Sequence, residues 1–380
     1  MRAAHSLSPH AFSTLRRLTA LTAVMTLTLT MVSCSIGESN GDPVISSLTA
    51  QKADATVPRN SKSDMDNEPL SSAVGTVSMI TSDENGKKGA VSGDLTTTVV
   101  SRERSTDKFQ WAVSIKPAVA NQERTEYADN AQSAMSENMD LSSTGSAVVS
   151  PDGRYLSLIL LPAEQQSGET ATDLRTHIVV LDTTTGKTVR NATVSGVILG
   201  QALTNSTLAV ETAQNYFPAG SGKGTITTFS LTDTSAQPSS FSTDKWLVGA
   251  TRENLMLAPE PLSDDCSYGC SMMTVTLINA DGSTAGSISG VIAVHPGGWI
   301  HRVADPKSDE QQLVNPSIKK TIDITGKNTF ERGVPTGPGL LVEQKSPDGK
   351  GSTESKPVFW LSSSDDGHPH TENLEQFTNN

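Results

Sequence analysis

The stretch SAVVSPDGRYLSLILL (146–161), followed after a polar loop by HIVVLDTTTGKTVRNATVSG (177–196), decides the fold. It holds four short runs rich in Val, Ile, Leu and Thr, each bounded by Gly, Pro, Asp or Ser. Runs of that length and composition read as strands rather than helices. The joint between the first two is the tight turn SPDG (150–153), and the joint between the last two is DTTTGK (182–187). Only the middle joint is long. The unit therefore reads as one antiparallel sheet of four strands.

The same unit recurs along the chain. Its second strand matches at Tyr155, Leu208, Leu255, Trp299 and Leu340, at steps of 53, 47, 44 and 41 residues. Each match follows a tight turn: SPDG, TNST (204–207), TREN (251–254), HPGG (295–298) and TGPG (336–339). A second landmark, the turn expected between third and fourth strands, falls at Gly186, Asp233, Gly282 and Gly326, at steps of 47, 49 and 44. A period of about 45 residues with four strands per unit is the signature of a β-propeller, whose blades cannot bury their faces alone and must close in a ring. The fold class is accordingly all-β: residues 71–365 are expected to form a single β-propeller of six four-stranded blades, seven being the alternative.

Before the clear repeats, strands are expected at 74–82, 89–93, 95–101 and 109–117, with a long polar insertion at 121–141. The last clear strand is PVFWLSS (357–363), and the 74–82 strand is expected to join it and clasp the ring. Residues 366–380 read as a polar, frayed tail.

Residues 1–33 read as a signal peptide. Arg16 and Arg17 precede a 15-residue apolar run at 18–32, too short and Thr-rich for a comfortable membrane span. The tetrad MVSC (31–34) resembles the bacterial lipobox, which implies that Cys34 becomes the lipid-modified first residue of the mature chain. Diacylglycerol with an N-linked acyl chain such as palmitate would anchor it stably, at about 0.8 kcal/mol per buried methylene. The expected address is the extracytoplasmic face of the cell membrane. Residues 34–70 are poor in aromatics and rich in Ser, Asn, Asp and Lys, and are expected to be a disordered tether.

With 29 basic against 41 acidic residues, the 380-residue chain carries a net charge of −12. Nucleic acids and anionic lipid surfaces are disfavoured as partners. Cys266 and Cys270 remain once Cys34 is assigned, and in an exported chain they are expected to form a disulfide. Its small loop contributes only about 2 kcal/mol in the chain-entropy picture.

The phrase VVLDTTTGKTVRNATVSG (179–196) resembles the repeat of quinoprotein-type propellers, and SPDGRYL (150–156) resembles the opening of WD-type and TolB-like blades. The resemblance implies a fold, not an activity. Arg190 stands where the docking Trp of the quinoprotein repeat would fall, and no Trp-Asp dipeptide occurs. No quinone or other cofactor is therefore expected, and no metal. AGSGKGT (219–225) lacks the Walker spacing, and the SxxK matches at 242–245 and 317–320 lack their companion motifs. His177, His295 and His301 have no metal-ligand spacing.

The expected function is non-catalytic: a monomeric, membrane-anchored scaffold displaying a propeller to an envelope protein or polymer. An exported propeller enzyme, either a hydrolase or a quinone-dependent oxidoreductase, is the alternative. The long connections between second and third strands, near 163–176, 212–224, 259–271, 304–312 and 344–356, gather on one rim and mark it as the binding face. Tyr216, Phe217 and Tyr268, set among acids that include Asp264 and Asp265, are the expected contact anchors.

Overall fold

A computed structural model describes residues 42–59, 69–88, 94–120, 145–161, 175–214, 224–260, 272–305, 307, 310–347 and 353–377. Beta-branched and aliphatic residues, punctuated by Gly and Asx turns, give an antiparallel protein with one α-helix among these residues. Strand β1 (Val44–Ser47) and helix α1 (Ala50–Thr56) come first. A meander follows: β2 (Leu70–Ser71), β3 (Thr76–Ser82), β4 (Thr96–Arg102) and β5 (Phe109–Lys116), with β1 added outside β5.

The second sheet is β6 (Ala147–Val149), β7 (Tyr155–Ile159), β8 (Arg175–Asp182) and β9 (Thr188–Ser195), in that order. The third is β10 (Val197–Leu203), β11 (Thr207–Ala213), β12 (Gly224–Ser230) and β13 (Ser239–Thr243). A seven-stranded sheet then runs through β14 (Trp246–Ala250), β15 (Leu255–Ala258), β16 (Met273–Ile278), β17 (Thr284–His295), β18 (Trp299–Asp305), β19 (Glu310–Asn315) and β20 (Lys320–Asp323). The last sheet is β21 (Lys327–Val334), β22 (Gly337–Pro347) and β23 (Thr353–Ser362).

The seven-stranded sheet is two meanders sharing one strand. The first part of β17 pairs with β16 and its last part with β18, and register shifts flank the changeover. Gly290 sits there with φ +73°, and a Cβ at this position would lie 2.2 Å from the Val303 carbonyl oxygen. Only glycine permits that approach, and the bulge lets one strand end one meander and begin the next.

Each meander buries both faces. Along β7, Leu156 and Leu158 join a cluster with Val99 and Trp111 of the first sheet, whereas Tyr155 and Ile159 join Leu203 and Leu208 of the third. Strand alternation thus sends successive side chains to successive neighbours. Ile300 of β18 packs with Met256 and Val275, while Trp299 and Leu313 pack with Leu340 and Val342 of the last sheet. Sheets stacked face to face in chain order, with the last meeting the first, have the arrangement of a β-propeller.

A polar contact joins last to first. The Arg104 guanidinium donates to the carbonyls of Val334, Ser72 (3.1 Å) and Gly75 (3.0 Å), and Gly333 lies so near that a Cβ would stand 2.5 Å from Ser71 Oγ.

Other contacts lock neighbouring sheets, and they share a pattern. A fourth-strand side chain docks on the next sheet's turn between third and fourth strands. Trp111 packs on Gly186 and donates its indole N–H to Thr183 O at 2.6 Å. Arg190 donates to Thr234 O at 2.8 Å with its guanidinium over the Phe229 ring. Phe241 packs on Gly282. Arg190 therefore does the docking expected of a Trp.

Several expectations are corrected. The 74–82 strand does not join the last sheet: β3 pairs with β4 from Thr76↔Arg102 to Ser82↔Thr96, a local hairpin with far less chain to close. The strand expected at 95–101 is thus the third of its sheet. The turn at Gly326 joins β20 to β21 and does not separate third from fourth strands, a place held by 316–319. Asp323 accepts from Thr325 as Asp281 accepts from Ser283, so the same local turn chemistry serves two different joints.

The tether expected over 34–70 contains β1 and α1. Thr49 caps α1, and Ala53 and Val57 are buried with Val100 and Ala112. Arg102, 4% exposed, pairs with Asp54 at 2.9 Å and donates to Val57 O. In the tail expected to fray over 366–380, the described residues pack on the last sheet, and Phe377 is buried against Trp360 and Leu341.

Substituting Arg104→Met leaves the carbonyls of Val334, Ser72 and Gly75 without their donor. The expected cost is about 3 kcal/mol. Hydrogen exchange should accelerate in β2 and β21 before it does in β7 and β8; uniform protection would show that Arg104 does not close the ring.

Candidate functional site

The two rims of the ring differ in what their polar groups do. On one, the turns between first and second strands interlock. Ala73 N–H donates to Gly153 O (2.9 Å), Asp152 N–H to Asn205 Oδ1 (3.1 Å) and Asn205 N–H to Arg252 O (3.0 Å). Arg252 donates to Ser363 O at 2.7 Å, and Ser363 N–H to Pro338 O at 2.9 Å. Gly153, with φ +75°, approaches so closely that a Cβ would lie 2.5 Å from Ala73 N and 2.8 Å from Pro338 Cδ. The SPDG turn is therefore spent on holding the ring.

On the opposite rim lie the strand ends joined by the connections 160–174, 214–223, 259–272, 306–309 and 348–352, and the longer one at 117–146. The expected anchors Tyr216, Phe217, Asp264, Asp265 and Tyr268 lie outside the described residues, as do Cys34, Cys266 and Cys270. The structure thus gives the platform from which those connections leave.

The platform holds one buried acid that sequence reasoning passed over. Glu211, on β11, is 2% exposed, and its Oε2 accepts the Leu247 N–H at 2.8 Å. Burial pushes its carboxyl up to about 7, the Leu247 bond pulling the other way. A Cβ on residue 224 would stand 2.4 Å from Glu211 Oε1, so any larger residue there would have to displace the carboxylate. Glu211 ties the third sheet to the first strand of the next, at the start of a long connection. The one available signal was an acid inside the apolar run LAVETA (208–213).

Between β13 and the sheet containing β15–β17 runs a groove of about 430 Å³. Phe241, Leu257 and Ile278 line it together with Thr243, Thr276, Thr284 and the charged pair Asp244 and Lys245. Lys245 Nζ is held 2.7 Å from Thr276 Oγ1.

The three histidines weighed as metal ligands have ordinary hydrogen-bond partners. His177 meets Thr193 Oγ1 at 3.1 Å, His295 meets Thr329 Oγ1 at 3.2 Å, and His301 meets Gln311 Oε1 at 3.0 Å. Burial lowers the His301 pKa, the Gln311 bond pulling the other way. Among the described residues no group of three or more His, Cys, Asp or Glu is placed to hold a metal ion.

No protein-family model matches the chain, and a search of curated proteins finds no match. Solved structures do overlap with it loosely. The β-propeller domain of the Trilobed protease from Pyrococcus furiosus is 12% identical over 77% of this chain and 82% of its own, with a TM-score of 0.40. TolB from Acinetobacter baumannii is 10% identical over 73% of this chain and 61% of its own, at 0.32. An acylaminoacyl peptidase from Pyrococcus horikoshii is 10% identical over 83% and 53%, at 0.38. This chain thus spans less than two thirds of the last two. Superpositions this loose say nothing of activity or ligand, and the fold rests on the strand order above.

Glu211 makes stability depend on pH. Its folded pKa lies above the unfolded value of 4.5, so its contribution is complete below 4.5 and is lost as pH rises through about 7. Glu211→Gln keeps an acceptor for Leu247 without the buried charge. It should raise the melting temperature at about pH 8 by the equivalent of roughly 1–3 kcal/mol, and change little at about pH 5. Equal shifts at both pH values would count against a buried, titrating carboxyl.

Proposed function

We infer that the chain is a membrane-anchored, extracytoplasmic binding lipoprotein. Cys34 carries the lipid, a ring of six blades stands beyond it, and the rim with the long connections engages an envelope protein or polymer. The observation that supports this most is the contrast between the rims. One is consumed by turn-to-turn hydrogen bonds, while every second-to-third connection departs from the other.

The order of the meanders supports a count of six, with the blades assigned as follows. The first three sheets supply one blade each, the seven-stranded sheet two, and β21–β23 the last. In the last blade, residue 370 bridges to Trp360 in place of a fourth strand. Cys266 and Cys270 are paired in this reading, and the protein acts as a monomer without a cofactor. The groove beside Lys245 lies on the flank of the third and fourth meanders.

Two experiments test the reading. Cys34→Ala should release the protein from membranes or leave its precursor uncleaved; unchanged processing and retention would refute the anchor. Tyr216→Ala combined with Tyr268→Ala should weaken capture of the partner from native membranes and leave the melting temperature nearly unchanged. Arg154, whose side chain is 58% exposed on the interlocked rim, is the control. If Arg154→Ala abolishes capture and the tyrosine pair does not, the binding face is the other rim.

A further inference from the structure

The C-terminal segment folds back over the last sheet in an arrangement that only one protonation state satisfies. His370 stacks on Trp360 with ring centroids 3.9 Å apart and planes 11° off parallel. Backbone bonds run both ways between residues 360 and 370, each 2.9 Å. The Trp360 indole N–H donates to Glu372 O at 2.9 Å. Beyond these, Leu374 and Phe377 close over Trp360, Leu341 and Val334. On the near side, Gly367 tucks against Trp299 and Ile318, and Arg252 holds the Ser363 and Asp365 carbonyls. The segment 363–377 therefore touches the fourth, fifth and last meanders.

Both ring nitrogens of His370 face carboxylates. Nε2 lies 2.7 Å from Asp365 Oδ2, and Nδ1 lies 2.7 Å from Glu372 Oε1. An ionised carboxylate only accepts, and a neutral imidazole has a single N–H. Both contacts are hydrogen bonds only when the ring is an imidazolium. Removing one proton leaves a lone pair facing a carboxylate oxygen at that distance. The other ionisable groups about the ring are His368, edge-on at 5.5 Å, and the Arg252 guanidinium, which reaches the Asp365 carbonyl from the turn before β15.

We propose that residues 363–377 are a proton-locked strap: the His370 imidazolium, clamped between Asp365 and Glu372 over Trp360, holds the segment across the open side of β23, and its deprotonation loosens the strap. Partial burial opposes charge on the ring, but the two carboxylates outweigh it and hold the pKa above the ordinary imidazole value. The sign follows. The lock is complete below the unfolded value and is lost as pH rises through the higher folded one. A loosened strap uncovers the Trp360 face and the backbone edge of β23 while the other blades stay closed.

The test is hydrogen exchange followed by mass spectrometry on the full chain at about pH 6 and about pH 9, corrected for intrinsic exchange. Protection across 363–377, relative to β7 and β8, should fall roughly tenfold at the higher pH. His370→Gln should give weak protection at both values and abolish the difference. Asp365→Asn combined with Glu372→Gln removes the demand for a second N–H, because an amide can donate to the neutral ring, so the difference in protection between the two pH values should shrink or vanish. Protection of β7 and β8 reports that each variant is folded. Wild-type protection that does not change with pH, or a double variant with the wild-type profile, would overturn the proposal.

Discussion

A stack of sheets with both faces buried must be closed on itself, and this ring is closed by an arginine. Successive sheets meet through apolar clusters, which are forgiving of small shifts in angle. The joint between last and first is instead made by the Arg104 guanidinium and three backbone carbonyls, whose directions tolerate little change. The segments before β2 and after β23 reinforce the sheets on either side of it. β1 extends the first sheet, with α1 clamped by Arg102, and the C-terminal strap covers the last. Closure is thus shared among contacts that each need a particular geometry.

Docking between sheets follows one rule with three chemistries. A fourth-strand side chain lies on the next sheet's turn, as an indole at Trp111, a guanidinium at Arg190 and a phenyl ring at Phe241. Glycine at the turn admits the two rings, and a carbonyl receives the guanidinium. With one rim and the blade flanks holding the ring, the other rim is free to carry connections of unequal length. Connections so supported can vary without costing the scaffold its packing.

Two groups on different parts of the ring respond to protons in the same sense. Glu211 between the third and fourth blades and His370 on the last both hold a proton more firmly folded than unfolded. They do so for opposite reasons: Glu211 because burial disfavours its charge, His370 because two carboxylates favour its charge. Each therefore contributes stability that is lost as pH rises, whereas carboxylates held low, such as Asp54 and Asp182, contribute stability that is lost as pH falls.

The strands, the repeat and the division between short and long joints were legible in the sequence because they are local. SPDG, TNST and TREN turn the chain through their own side chains, and alternating apolar runs such as RYLSLILL need only neighbouring sheets to bury them. Landmarks failed where local chemistry is indifferent to place, as at Asp323–Gly326, which turns like 281–282 but joins two blades. Composition failed at the ends, since averaging over a polar stretch hides the few residues that dock: Ala53 and Val57 at one end, Leu374 and Phe377 at the other. The sequence by itself determined the propeller's strands and their period. Only the tertiary structure decided which segments close the ring, that Arg104 is its clasp, that Glu211 is buried and that His370 is held between two acids. Those depend on pairings between residues as far apart as 104 and 334, and no property of either residue alone records the distance between them in the fold.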